Sequence, residues 1–221
     1  MNLIKQDIIL LIMNCHRYTF KALEQKNTWI PLLSDSILYF HVLGDPLLTE
    51  PFQIDVLNHV LYVRCEDDYN SLPKKVIRAF SAIYSTYNFK YIFKTDDDQN
   101  VTDTTLFDHF ANILLPSVPK VHYAGTVIHV PHAYKSEYYR IHPELPNELF
   151  VMSTTYCSGR FYALSADAVF CLLNKQLLIE KEFLEDYAIG FNLSSFLKIT
   201  MVDFKKEINT YMGDIDFSNK T

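Results

Sequence analysis

The run Tyr91-Ile92-Phe93-Lys94-Thr95 has the length and apolar character of a buried strand, and it ends directly in Asp96-Asp97-Asp98. That junction constrains the chain more than any other feature. Ligands of open α/β sheets gather at the carboxyl ends of strands, and adjacent carboxylates placed there repel one another unless they share a cation. Oxygen-only donors suit Mg²⁺ or Mn²⁺, ions that keep coordination positions open for substrate phosphates. The triplet therefore points to a phosphorylated or nucleotide-linked substrate, against the plainer reading of a solvated acidic loop.

Around the triplet the apolar pattern alternates between two periods. Residues 7–13 and 36–43 read as strands separated by a helix over about 18–26, and 59–65 is a third strand in which Leu61 and Val63 alternate with Val60, Tyr62 and Arg64. Val76, Ile77, Phe80, Ile83, Tyr84 and Tyr87 recur at helical spacing, so 73–87 should press one apolar stripe on a sheet. Residues 90–95 deliver the triplet, and Thr102 or Asp103 is placed to cap a helix running to about Leu115. Further strands are expected at 121–126, 150–152 and 160–164, with Ser165 capping a helix that contains Val169, Leu172 and Leu173. Residues 127–148 carry Pro131, Pro143 and Pro146 and read as loop-rich. The alternation predicts an α/β fold with a mostly parallel central sheet and helices on both faces. Without an internal repeat or long linker, one domain over residues 1–221 is expected.

A hydrophobic share of 49% excludes a disordered class, and a net charge of −6 with no basic run excludes a nucleic-acid binder that works by neutralising phosphates. The same negative field would repel a diphosphate, so a cation or a local basic cluster must offset it. Asp7–Met13, the only early apolar run, is too short to span a bilayer and is needed as the first strand, so no transmembrane segment is expected. Cys15, Cys65, Cys157 and Cys171 form neither a close metal pair nor a dense disulfide framework, and reduced thiols are expected. His122, His129, His132 and His142 match no zinc spacing and are expected to be solvent-facing or singly bonded. Sequons stand at Asn100, Asn192 and Asn219, and a glycan on the first would crowd the triplet. A cytoplasmic setting is the expectation from these features.

Four further segments accompany the triplet. Lys26-Asn27-Thr28-Trp29 and Glu66-Asp67-Asp68-Tyr69-Asn70-Ser71-Leu72-Pro73-Lys74-Lys75 precede it. Tyr156-Cys157-Ser158-Gly159 with Leu164-Ser165, and then Glu185-Asp186-Tyr187-Ala188-Ile189-Gly190, follow it. In this order the segments resemble the β-1,3-glycosyltransferases of glycosyltransferase family 31, the galactosyl-, N-acetylglucosaminyl- and fringe-type enzymes, over about residues 7–200. The resemblance implies a GT-A-type domain and inverting transfer of a hexose or N-acetylhexosamine, galactose or N-acetylglucosamine first, from a UDP-sugar to a glycan or glycoprotein hydroxyl with a β-1,3 linkage. It further implies Mn²⁺ (or Mg²⁺), an acceptor-facing flap at 127–148, and the Golgi lumen as the alternative compartment.

By the same resemblance the metal residues are Asp98, the direct ligand, and Asp96, the other outer member of the triplet, which also lies nearer the ribose or uracil. Asp97 sits on the nucleotide side and shapes the turn. Lys21, Lys26 and Lys75 are candidate nucleotide-side cations, with exposed surface charge as the alternative for each. Gly159 is expected in a tight turn beside the donor sugar. Asp186 is the candidate base that takes the acceptor proton; the alternative is a helix N-cap, with Ala188, Ile189 and Phe191 as helical core. The chain departs from its relatives in Tyr187 for Val, in Arg160 where a small residue is common, and in lacking any histidine after His142 to serve as a second metal ligand. Asp203, Asp214, Asp216 or water would then complete the shell. Two other readings remain open: a degenerate GT-A-like module that binds glycan or protein, and a metal-dependent phosphohydrolase.

Overall fold

Strand β1, Ile8–Met13, is buried at all six positions, the signature of a strand covered on both faces. In the computed structural model, which describes residues 3–215, it lies inside an eight-stranded sheet. The other strands are β2 (Ile37–Gly44), β3 (Phe52–Asp55), β4 (Val60–Val63), β5 (Tyr91–Asp96), β6 (Tyr123–Val130), β7 (Thr154–Ser165) and β8 (Val202–Asp203). The order across the sheet is β8-β6-β7-β5-β1-β2-β4-β3. The run β5-β1-β2-β4 is parallel throughout, so the carboxyl ends of β1 and β5 open at one edge of the sheet. Strand β7 runs antiparallel to both β5 and β6, and β3 closes the far edge antiparallel to β4.

Alternate residues of β1 feed two cores. Ile9, Leu11 and Met13 meet the apolar stripe of α2 (Leu72–Thr86), whose Val76, Ile77, Phe80 and Ile83 are buried. Ile8, Leu10 and Ile12 face the opposite side, where Trp29 follows α1 (Thr19–Asn27) and Phe107 and Phe110 come from α3 (Thr105–Leu114). Phe161 of β7 anchors that second core, with ring centroids 5.5 Å from Phe93, 5.9 Å from Phe107 and 5.0 Å from Phe110. The expected mixed α/β architecture, mostly parallel with helices on both faces, is the one observed.

Local capping follows the chemistry of the short polar residues. Ser165 caps α4 (Ala166–Leu173), its Oγ accepting from the Ala168 amide at 3.2 Å. At α3 the backbone cap is Thr104, and Asp103 serves by accepting the Thr105 amide at 3.0 Å; Thr102 takes no part, because its hydroxyl donates to the Tyr211 carbonyl at 3.2 Å. The strand expected at 121–126 runs on to Val130, beyond the supposed loop boundary, because β7 pairs with it as far as Thr154↔Val130. The segment Tyr156–Gly159 is no tight turn. It lies inside β7, where the register against β6 slips between Cys157 and Tyr162, a bulge that bends the strand and re-aims its side chains. Helix α5 (Glu185–Asn192) and helix α6 (Lys205–Tyr211) complete the frame. Phe191 of α5 is 41% exposed and stacks on Tyr187 rather than entering the core. Among the described residues no helix is long and apolar enough to cross a membrane. Asp216 and the Asn219 sequon lie outside the described residues.

Candidate active site

The carboxyl ends of β1 and β5, the bulge of β7 and the first turn of α5 enclose a cleft of about 960 Å³. Strand β5 carries Asp96 to its rim, and Asp97 and Asp98 make the turn into Gln99–Val101, a short strand paired with Met212–Asp214. All three aspartates line the cleft together with Lys21, Lys75, Gly159 and Asp186.

Lys94 is the hub of this arrangement. Its side chain is 1% exposed, and its ammonium donates to Asp96 Oδ1 at 2.6 Å and to the Gly159 carbonyl at 2.8 Å, while Glu185 Oε2 stands 3.0 Å away. The Tyr162 hydroxyl donates to the other oxygen of Glu185. Burial works against a charged lysine, but Asp96 and then Glu185 outweigh it and hold the pKa above the usual lysine value. Sequence reasoning assigned Lys94 no role. The available signal was a lone charge inside an otherwise apolar strand, which cannot be buried unless partners await it.

Asp186 sits in the second position of α5, past the N-cap residue Leu184, so the capping alternative fails. Its Oδ2 accepts from the Gly159 amide at 3.0 Å and its Oδ1 from the Tyr187 amide at 2.7 Å. Burial lifts the carboxyl above the ordinary aspartate value, against the opposing pull of those amides and of Lys94. A carboxylate so placed is a better proton acceptor than one in water. Gly190, four residues on and on the same helical face, lets α5 lie directly on β7: a Cβ there would stand 2.1 Å from the Tyr156 Cβ. The glycine of the Glu185-to-Gly190 segment thus sets the approach that brings Asp186 to Gly159. Gly159 itself has no left-handed backbone; a Cβ on it would point among Lys94, Glu185 and Asp186.

The candidate nucleotide-side lysines divide. Lys21 reaches Asp97 Oδ1 at 3.1 Å from α1 and lines the cleft. Burial pushes the Asp97 carboxyl up to about 6 despite Lys21. Lys75 is 2% exposed and already committed, paired with Asp67 and donating to the Asn14 carbonyl at 2.8 Å. Asp67 also accepts the Gly44 and His16 amides at 2.8 and 2.6 Å, so the pair clamps the ends of β1 and β2. Lys26 is not brought to the cleft; its ammonium donates to the Asn58 carbonyl at 3.1 Å. Tyr69 and Asn70 hold the 127–148 segment: Tyr69 stacks on His142 at 4.1 Å and Asn70 donates to the Glu144 carbonyl at 2.9 Å. His142 has the single polar partner expected of it, Nδ1 standing 3.5 Å from Glu144 Oε1, and its ring is wedged against Tyr69 and Tyr138.

Of the two described acids proposed to complete a metal shell, Asp203 and Asp214, it is Asp214 that is joined to the triplet. The Gln99 amide donates to Asp98 Oδ1 at 2.8 Å and to Asp214 Oδ1 at 2.9 Å, and Arg160 reaches the same Asp214 oxygen at 3.0 Å. Asp203 serves elsewhere, accepting the amides of Lys205 and Val127. Among the described residues no three His, Cys, Asp or Glu side chains converge as a ready cage. The cleft still gathers more carboxylates than cationic side chains, with Asp67, Asp68, Asp96, Asp97, Asp98, Glu144, Glu185 and Asp186 against Arg17, Lys21, Lys75, Lys94 and Arg160. Oxygen donors of this kind fit Mg²⁺ or Mn²⁺, ions that one or two carboxylates would hold.

The family model described as galactosyltransferase matches residues 54–205. UDP-GalNAc:beta-1,3-N-acetylgalactosaminyltransferase 1 of Mus musculus is 26% identical over 180 residues, 77% of this chain and 52% of that protein. The Homo sapiens protein of the same name is 26% identical over 187 residues, 80% of this chain and 54% of that protein. The chain thus spans about half the length of the curated relatives it matches. The mannosyltransferase Ktr4p from S. cerevisiae overlaps 92% of this chain and 72% of its own at 11% identity and a TM-score of 0.48, a loose overlap on which no assignment rests. With the family model covering 54–205, from the edge strand β3 through the acidic turn and Asp186 to the start of α6, the chain belongs to the galactosyltransferase family.

Proposed function

We propose that residues 1–221 form one catalytic domain of an inverting, metal-dependent glycosyltransferase that moves a hexose or N-acetylhexosamine from a UDP-sugar to a glycan hydroxyl, forming a β-1,3 linkage. The observation that carries the reading is the single hydrogen-bonded chain Asp186–Gly159–Lys94–Asp96, which joins a buried carboxylate to the acidic turn across one cleft. In this reaction Asp186 accepts the proton of the acceptor hydroxyl as its oxygen attacks C1 of the donor sugar. The C1–O bond to the diphosphate breaks on the opposite face, and UDP departs with the bonding pair. Asp98, with Asp96 and Asp214 nearby, would hold a divalent ion, whose positive charge would stabilise the departing diphosphate. Lys21 steadies Asp97 in the turn, and Lys94 keeps Asp96 and Glu185 from repelling one another.

UDP release from a panel of UDP-sugars with Mn²⁺, UDP-GalNAc included because of the named relatives, tests the reading. Turnover with at least one donor is expected, and Asp98→Asn should remove most Mn²⁺-dependent UDP affinity in calorimetric titration while leaving thermal unfolding nearly unchanged. A protein that neither binds UDP nor releases it is a binding module; release of inorganic phosphate would mark a phosphohydrolase.

We further propose a cytoplasmic setting. It is supported by the free thiols Cys15, Cys65, Cys157 and Cys171 and by Asn100 standing in the strand paired with Gly213 at the base of the acidic turn. Intact mass with thiol labelling of protein from its native cell should show no glycan and no disulfide. A glycan on Asn100 would overturn it.

A further inference from the structure

Resting on the glycosyltransferase reading of the cleft, we infer that Lys198 is a positioning residue for the candidate base: its ammonium fastens the far turn of α5 to the start of β7 and so fixes where the first turn of α5 holds Asp186. Lys198 ends the single turn Ser195–Lys198, is partly buried, and does not line the cleft. Its three protons go to the Gly190 carbonyl at 2.9 Å, the Thr155 carbonyl at 3.1 Å and Thr154 Oγ1 at 3.0 Å. All three acceptors are neutral, so the ammonium acts as a three-way donor rather than as half of an ion pair. Burial, and then the charge of Lys175, hold its pKa below the usual lysine value, a cost that an ammonium without a task would escape by turning to water.

The fastening falls where helix and strand touch. A Cβ on Gly190 would stand 2.1 Å from the Tyr156 Cβ and 3.3 Å from the Thr155 carbonyl oxygen, and Lys198 bonds to the carbonyls of Gly190 and Thr155 themselves. The Gly190 carbonyl belongs to the last turn of α5, where carbonyls lack partners within the helix and attract a cation. Lys175 serves the same helix end by donating to the Asn192 carbonyl at 2.6 Å, but it makes no bond to β7.

Asp186 travels with its helix. Its Oδ1 accepts the adjoining Tyr187 amide, which orients the carboxylate within α5, and its Oδ2 makes the bond across to β7 at Gly159. Gly190 lies one turn along the axis from Asp186, about 6 Å at the helical rise, so a slip of α5 at Lys198 reaches the base almost undiminished. Gly159 has no ladder to correct it. It stands between Cys157, the last residue registered against β6 before the slip, and Phe161, where the pairing with β5 begins. The protection of the Gly159 amide therefore reports where Asp186 is held.

Amide hydrogen exchange followed by NMR on the protein without ligand reads this geometry with no need of turnover. Lys198→Met keeps an apolar stem of similar length and removes the donors, and it should speed exchange at Gly159 by ~10-fold or more beyond any change at the core amide of Leu10, which reports global opening. Lys175→Met removes a cation from the same helix end and should leave Gly159 as protected as in wild type. In transfer assays Lys198→Met should lower kcat by ~10- to 100-fold, with donor KM and UDP affinity within about two-fold, and Lys175→Met should keep the wild-type kcat. Gly159 exchange no faster in Lys198→Met than in Lys175→Met, or a loss of UDP affinity as large as the loss of kcat, would overturn the assignment. Should Lys198→Met not fold, Thr154→Val, which removes one acceptor at a partly exposed position, takes its place: faster Gly159 exchange than in Lys175→Met sustains the assignment and equal exchange overturns it. Absence of UDP binding or turnover in wild type strikes the catalytic reading alone, because the exchange comparison still decides whether Lys198 holds Asp186 against Gly159.

Discussion

The Gly159 amide stands 3.0 Å from Asp186 Oδ2, while the carbonyl of the same residue accepts from Lys94 at 2.8 Å. One residue in a strand bulge therefore orients the candidate base and ties it to the cation beside the acidic turn. Removing any member of this chain should leave a distinct signature.

Asp186→Asn keeps shape and the Gly159 hydrogen bond but removes the proton acceptor. Transfer should fall by a factor of ~10² to 10⁴ while UDP and metal binding persist. Because burial raises the Asp186 pKa, the base is lost by protonation at a higher pH than an ordinary aspartate would be. The acidic limb of the wild-type kcat/KM profile should accordingly lie above the usual aspartate range. A kcat within a few-fold of wild type at a normal melting temperature would move the base elsewhere.

Lys94→Met replaces a buried cation by an apolar chain of similar length and leaves Asp96 and Glu185 facing each other unneutralised. Breaking one partner out of a buried pair costs about 3–5 kcal/mol. Urea unfolding at neutral pH should show that loss, and it should shrink as the pH is lowered and the two carboxyls take up protons. A variant as stable as wild type at neutral pH would show that Lys94 neutralises nothing of consequence.

Gly190→Ala separates helix propensity from packing. In an exposed helix the change stabilises by about 1 kcal/mol. Here the new Cβ meets the Tyr156 Cβ at 2.1 Å and its Cα at 2.8 Å, and overpacking of this kind costs ~1–3 kcal/mol or more. A lower melting temperature is expected, together with reduced transfer as α5 is pushed from β7 and Asp186 from Gly159. An unchanged or raised melting temperature would contradict the close approach.

His41 titrates far from the cleft. It is 2% exposed on β2, neither ring nitrogen has a hydrogen-bond partner, and burial holds its pKa down to about 3 from 6.5. Between those values the unfolded chain binds a proton that the native state does not, so stability is lost as pH falls from about 6.5 toward 3, at up to ~1.4 kcal/mol per pH unit. In His41→Phe the stability difference between pH 7 and pH 4 should shrink by a few kcal/mol, as read by urea unfolding. Identical pH dependence in the two proteins would rule out this role for His41.

Much of the frame was legible locally. Val76, Ile77, Phe80, Ile83 and Tyr87 of the expected stripe are buried, whereas Tyr84 is exposed, and Ser165 caps α4. Strand β3 escaped notice although Phe52 and Ile54 alternate with Gln53 and Asp55, because four residues make too short a run to stand out from a turn-rich stretch. The Tyr156–Gly159 segment was misread because a glycine in a bulge and a glycine in a turn look alike in one dimension, and only the pairing of β7 with β6 distinguishes them.

The amino-acid order alone determined that carboxylates would stand at the end of a buried strand, because short-range periodicity and the run Asp96–Asp98 are written within a few residues of one another. Only the tertiary structure decided which charges neutralise which. Lys94 meets Gly159 across a separation of 65 residues, Lys75 is spent on Asp67 and Asn14 rather than on a nucleotide, and Asp214 is drawn beside Asp98 by Gln99 from 115 residues away. Electrostatic partnership depends on distance and burial in space, and neither is encoded by spacing along the chain.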